Sequence, residues 1–294
     1  MTTATKKLTL GHSPDPDDTF MFYALAERKI DTRGYDFQHI LQDIQTLNER
    51  CTRGELHISA ISIHAYAYVM ERYALLPCGA SMGDGYGPMV VAKSLDGLSV
   101  MPSDDEIRNW LRTRLIAVPG AMTSAYLALR LFMGGEFTCE QVPFDKIFDH
   151  VAAGGAKAGL IIHEGQLTYA AEGFVKILDL GDWWLRRTGM PLPLGGNVIR
   201  KDIPPEERSV ISSILAESIR YGLAHRAAAV EHSMPLARGM DIPMADQFIG
   251  MYVNEYTKDY GDTGRRAIQE FLGRAHKAGI IPAPVELEFV EPAE

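Results

Sequence analysis

The chain has 294 residues, enough for two domains of ordinary size, and is 46% hydrophobic and 23% charged, the balance of a globular protein with a sizeable core. A formal charge of −9 argues against a nucleic-acid partner, which needs a basic face, but leaves room for a local cationic pocket that takes an anionic metabolite. No run approaches the about 18–20 apolar residues of a membrane helix, and no apolar stretch of signal-peptide length follows Lys6 and Lys7, so a cytoplasmic protein without a membrane partner is expected. Cys51, Cys78 and Cys139 are isolated and odd in number, which predicts neither a disulfide framework nor a zinc site. The nine histidines include no H-E-x-x-H or similar spacing, and no metal is expected.

Leu8–Gly11 reads as a first strand. It runs into Ser13-Pro14-Asp15-Pro16-Asp17-Asp18-Thr19, a turn-rich stretch in which Asp17 is a candidate cap for a helix to about Arg28. The acidic residues fit poorly with anion binding and suit acceptance of hydrogen bonds from ligand hydroxyls; caps and a tight turn are the alternative. Tyr35–Leu41 is a second strand, followed by a helix capped by Asp43 and closed by Gly54. Leu56–Ile63 is a third strand, with Ser62 and His64 at its carboxyl end. Tyr73–Leu76 and Met89–Ala92 are further strands around a loop with four glycines, which is not a P-loop because no Gly-Lys-Ser/Thr follows.

The pattern then restarts. Asp104 is expected to cap an amphipathic helix, and Arg114–Val118 is a strand leading through Pro119-Gly120 to Thr123 and Ser124 at the start of the next helix. Hydroxyls and free N–H groups converge there, and a carboxylate is the natural guest; simple capping is the alternative. Glu140–Pro143 is a strand and Asp145–Ala153 a helix. Gly159–Ile162 is a short buried strand that ends at His163 and Glu164. Ligands of open α/β sheets collect at the carboxyl ends of strands, and a histidine there exchanges a proton near neutral pH. His163 is therefore the candidate catalytic base, set against a hydrogen-bonded structural residue.

Val175–Leu178 is another strand, and Asp182-Trp183-Trp184 opens a short helix in which one indole is expected at a cleft or interface. Pro191–Ile199 reads as a return strand. From Pro204 the chain is helical, and the proline-rich tail is expected to be loose. Two βαβαβ patterns joined by crossing strands at Met89–Ala92 and Gly196–Ile199 describe a two-lobed ligand clamp with a hinge and an interlobe cleft. Residues 1–92 plus 197–294 are expected to form the larger lobe, and 93–196 the smaller.

Several blocks carry a resemblance. Ser13-Pro14…Pro16…Asp18-Thr19-Phe20, Asp43…Thr46-Leu47-Asn48, Ser62…Ala65-Tyr66, Gly87-Pro88, Val118-Pro119-Gly120, Thr123…Ala125-Tyr126, Ile161-Ile162-His163-Glu164 and Pro191-Leu192-Pro193-Leu194-Gly195 resemble the 1,4-dihydroxy-6-naphthoate synthases of the futalosine route to menaquinone. The likeness covers nearly the whole chain. It implies the α/β periplasmic-binding-protein type II fold and a cofactor-free lyase acting on cyclic dehypoxanthinyl futalosine, with His163 matching the family's base. It also implies substrate binding by Ser13, Asp18, Thr19, Asn48, by Ala60, Ile61 and Ser62, and by Thr123, Ser124 and Ala125. The expected partner is a small carboxylate-bearing substrate, and the chain a monomer or homodimer.

The sequence departs from the family pattern in four places. Asp15 and Asp17 replace Cys and Asn, Ala60 replaces Lys, and His12 replaces an aromatic. The added negative charge opposes a carboxylate. The alternatives are a non-catalytic or altered-specificity binding protein for a small anionic metabolite, and a related dehydratase acting on chorismate. Glu164 is expected to be a supporting or structural group.

Overall fold

The computed structural model describes residues 5–293. Its strands are β1 (Lys6–His12), β2 (Tyr35–Leu41), β3 (Ile58–Ser62), β4 (Tyr73–Leu75), β5 (Ser81–Gly83), β6 (Met89–Ala92), β7 (Ile116–Val118), β8 (Cys139–Gln141), β9 (Ala158–Ile161), β10 (Val175–Asp179) and β11 (Leu192–Arg200). They form two sheets, ordered β2-β1-β3-β11-β4, with β5 on β11, and β10-β6-β9-β7-β8. In the first, β1 runs parallel to β2 and β3, and β11 antiparallel to β3 and β4. In the second, β7 runs parallel to β8 and β9, and β6 antiparallel to β9 and β10.

The chain divides into two compact units. One holds the chain through Met82, Pro193–Gln269 and the chain from Val285; the other holds Gly83–Leu192 and Glu270–Pro284. Gly83–Ala92 and Glu270–Pro284, expected in the larger lobe, fall in the second unit, where β6 pairs along its whole length with β9 and Phe271 packs its ring on Trp184 at 5.2 Å. Pro193–Gly196, expected in the smaller lobe, fall in the first, where Gly195 and Gly196 of β11 pair with Ser62 and Ile61 of β3.

Each sheet buries apolar side chains on its own helices. In the first unit Leu10, Phe20, Ile58, Ile199, Leu215 and Ile219 share a core, each aliphatic side chain contributing about 1.5–3 kcal/mol on burial. In the second, Val91, Ala117, Ile147, Val151, Ile161 and Phe174 do so. The run of consecutive buried residues in β9 reflects this position: a central strand covered on both faces shows no alternation.

Four local expectations are corrected. Asp17 lies inside the helix Pro16–Met21, whose N-cap is Asp15. Ser103, rather than Asp104, caps the helix Asp104–Arg112 through a reciprocal box with Glu106. Both Trp183 and Trp184 are buried, because Phe132 covers the first at 5.5 Å and Phe271 the second. The tail is anchored: Leu75 N–H donates to Glu288 O at 2.8 Å and Val290 N–H to Leu75 O at 2.9 Å, which closes the open edge of β4.

Among the described residues no helix is long and apolar enough to cross a membrane, the three cysteines are free, and no group of three His, Cys, Asp or Glu residues is placed to hold a metal.

Candidate active-site residues

In the first unit the expected residues gather at the carboxyl ends of two adjacent parallel strands. Gly11 of β1 stands opposite Ser59 of β3, so the loop Ser13–Thr19 and Ser62 leave the sheet at the same edge. Within the loop, Ser13 N–H donates to Asp18 Oδ2 at 2.8 Å, Asp15 N–H to Ser13 Oγ at 3.1 Å, and Thr19 Oγ1 to Asp15 O at 3.0 Å. Asn48 and Ser62 form a reciprocal pair. The Asn48 amide donates to Ser62 Oγ at 3.0 Å, and Ser62 N–H donates to Asn48 Oδ1 at 2.9 Å. Asn48 is fully buried. Ala60 and Ile61 are also buried, paired with Asn197 and Gly196 of β11.

The acidic loop is less negative than its sequence suggests. Asp15 is ion-paired with Arg238. Burial pushes the Asp18 carboxyl up to about 6, against the pull of the Ser13 N–H. Burial, with the charges of Asp18 and Asp15, raises Asp17 well above the usual carboxylate range. Beside the loop, His12 Nδ1 contacts Ser13 O at 3.0 Å and His12 Nε2 contacts His39 Nδ1 at 2.9 Å. The carbonyl only accepts, so His12 Nδ1 carries the proton and His39 Nδ1–H donates to His12 Nε2. Burial and the neighbouring His39 lower His12 to about 3, so it stays neutral and packs on Phe22 at 4.9 Å, as an aromatic would.

In the second unit Ala117 of β7 stands opposite Gly159 of β9, so Thr123 and His163 follow parallel strands to one edge. Thr123 caps the helix Ser124–Met133. Its hydroxyl donates to Gly120 O at 2.9 Å and accepts from Tyr126 N–H at 3.2 Å. Ser124 and Ala125 are buried in the first turn. His163 is 6% exposed and Glu164 8%. The imidazole lies edge-on to Phe144 and Phe148, with ring centroids 5.4 and 6.1 Å away. Gly165 N–H donates to His163 Nδ1 at 3.0 Å, His163 Nε2 meets Phe144 O at 3.1 Å, and Glu164 Oε2 is 3.5 Å from Nδ1. A β-carbon on Gly165 would stand 2.9 Å from His163 Cε1 and 2.7 Å from Phe148, so only glycine fits there without displacing a neighbour.

Sequence reasoning did not find Phe144, Phe148, Gly165 or Arg238. The Ile-Ile-His-Glu-Gly run carried a signal for Gly165; nothing local marked the other three.

Two sheets with this alternation of parallel and antiparallel strands define a protein with the periplasmic-binding-protein fold. The likeness to the alkanesulfonate-binding protein SsuA from Xanthomonas axonopodis shows this at the level of fold: TM-score 0.71, 10% identity, 96% of each chain covered. Residues 8–277 match the family described as "Menaquinone biosynthesis", and the chain belongs to that family of menaquinone-pathway enzymes. The chain is 36% identical to the 1,4-dihydroxy-6-naphtoate synthase of Thermus thermophilus over 282 residues, 94% of this chain and 97% of the relative. It is 36% identical to the Streptomyces coelicolor protein of the same name over 281 residues, 94% and 95%. A crystal structure of an Archaeoglobus fulgidus protein is similar at TM-score 0.86 and 40% identity, covering 94% and 98%.

Proposed function

We propose that this protein is a cytoplasmic lyase that converts cyclic dehypoxanthinyl futalosine to 1,4-dihydroxy-6-naphthoate and a sugar-derived fragment, with His163 as general base. The names of the Thermus and Streptomyces relatives support the product. The observation that carries the residue assignment is the placement of a buried imidazole, with a carboxylate beside it, just past the end of a central strand. Such a ring takes a C–H proton next to an electron-withdrawing group. The electron pair left on carbon expels the sugar-derived fragment, which recovers a proton from the imidazolium. The first turn of the helix Ser124–Met133 offers N–H groups to the substrate carboxylate. Ser62, Ser13, Asp18 and Thr19 supply hydrogen bonds to polar groups of the ligand.

The test is turnover followed by naphthoate absorbance. His163→Asn is expected to abolish it while substrate binding stays within about tenfold, ~1.4 kcal/mol. Unchanged turnover in the variant removes His163 from the mechanism. The use of both ring nitrogens by the backbone favours a second reading, a non-catalytic binding protein for a small anionic metabolite. Tight binding of the futalosine derivative with no product from the wild type selects that reading.

A further inference from the structure

A backbone N–H only donates and a carbonyl only accepts. Gly165 N–H therefore makes His163 Nδ1 an acceptor, and the ring proton sits on Nε2, given to Phe144 O. In this tautomer the single lone pair of the imidazole faces Gly165. A base that works through Nε2 needs the proton on Nδ1 instead. Glu164 Oε2 is the acceptor at hand, 3.5 Å from Nδ1, and the two side chains are 8% and 10% exposed. A bond from Nδ1–H to a carboxylate there is charge-assisted and little screened.

Resting on the reading of His163 as the base, we infer that Glu164 is the positioning residue that selects the active tautomer of His163. The exchange is a two-state change. Moving the proton from Nε2 to Nδ1 breaks the bonds to Phe144 O and Gly165 N–H together, and makes one to Glu164. The Nε2 lone pair then opposes the Phe144 oxygen, so the turn Phe144–Lys146 moves off and substrate takes its place. The substrate proton lands on Nε2, and the resulting imidazolium keeps its Nδ1–H on the Glu164 carboxylate until the proton leaves again. Other charged groups on the packed elements are engaged or remote: Asp145 pairs with Lys146 at 3.2 Å, Glu140 with His150 at 2.5 Å, and Asp149 is exposed.

Glu164→Gln tests this with the purified full chain. The expected result is a kcat lower by about 10–100-fold with KM little changed. Glu164→Asp, which keeps a carboxylate, is expected to restore part of kcat. Ring ¹⁵N spectra of the histidines report the tautomer directly. The wild type is expected to carry Nε2–H when free and Nδ1–H with 1,4-dihydroxy-6-naphthoate bound, and Glu164→Gln to keep Nε2–H in both. A Glu164→Gln enzyme with wild-type kcat overturns the inference. So does a wild-type product complex that keeps Nε2–H, a measurement that needs no variant to fold. An active His163→Asn enzyme instead overturns the parent reading, so the two failures are distinct.

Discussion

Asp15, on the loop after β1, is ion-paired with Arg238, 223 positions further along the chain. Arg238 has φ 42° and is followed by Gly239 at φ 82°, so the guanidinium is delivered from a left-handed turn that costs a non-glycine residue about 1–2 kcal/mol. This neutralises the charge that, from sequence, opposes a carboxylate-bearing substrate. Arg238→Gln is expected to raise KM about fivefold, ~1 kcal/mol, by leaving Asp15 bare. The double variant Asp15→Asn/Arg238→Gln is expected to return KM to the wild-type value in steady-state kinetics. A single variant with unchanged KM shows that the loop does not sense the substrate's charge.

Asn48 holds Ser62 with both ends of its amide. Asn48→Ala leaves a buried N–H and a hydroxyl without their partner. The expected loss is about 1–3 kcal/mol of folding stability, measured by urea unfolding. A loss confined to a few tenths contradicts the role given to this pair.

Gly165 lies against the catalytic candidate. In Gly165→Ala the new methyl meets His163 Cε1 at 2.9 Å and Ile161 Cγ2 at 2.9 Å, so the ring shifts. A misplacement of about 1 Å costs on the order of 100-fold in kcat. Gly273→Ala, with nothing within 4 Å of the added carbon, is the matched control and is expected to leave kcat unchanged.

Asp17 is held above the usual carboxylate range by burial and by Asp18 and Asp15. The folded state therefore binds more protons than the unfolded chain across that window, and stability falls as pH rises through it. Asp18, pushed up to about 6 by burial, acts in the same direction between its ordinary value of 3.8 and 6. Asp17→Asn is expected to raise Tm by roughly 2 °C at neutral pH and to have no effect in strong acid, where the native carboxyl is also neutral. A thermal-melt series across pH reads the difference, and a variant equally stabilised at every pH rules out the charge as its cause.

Much of the fold was legible because its signals are short-range. Tyr35–Leu41 and Met89–Ala92 match the observed strands, and Asp43 caps its helix through the Thr46 N–H as expected. The missed caps, Asp15 and Ser103, differ from the expected ones by one or two positions, where neighbouring Asp and Ser residues compete for the same role. The tail was misread because its composition says nothing about Leu75, whose backbone it pairs with.

Chain periodicity and glycine placement alone determined the α/β class, the strand that ends at His163, and the helix start at Thr123. Tertiary structure decided the rest: which ring nitrogen of His163 carries the proton, through Phe144 nineteen residues earlier, and whether Asp15 is a bare charge, through Arg238. The division has a physical cause. Strands, caps and turns are set by contacts within a few residues, whereas protonation and charge pairing are set by whatever the folded chain brings alongside.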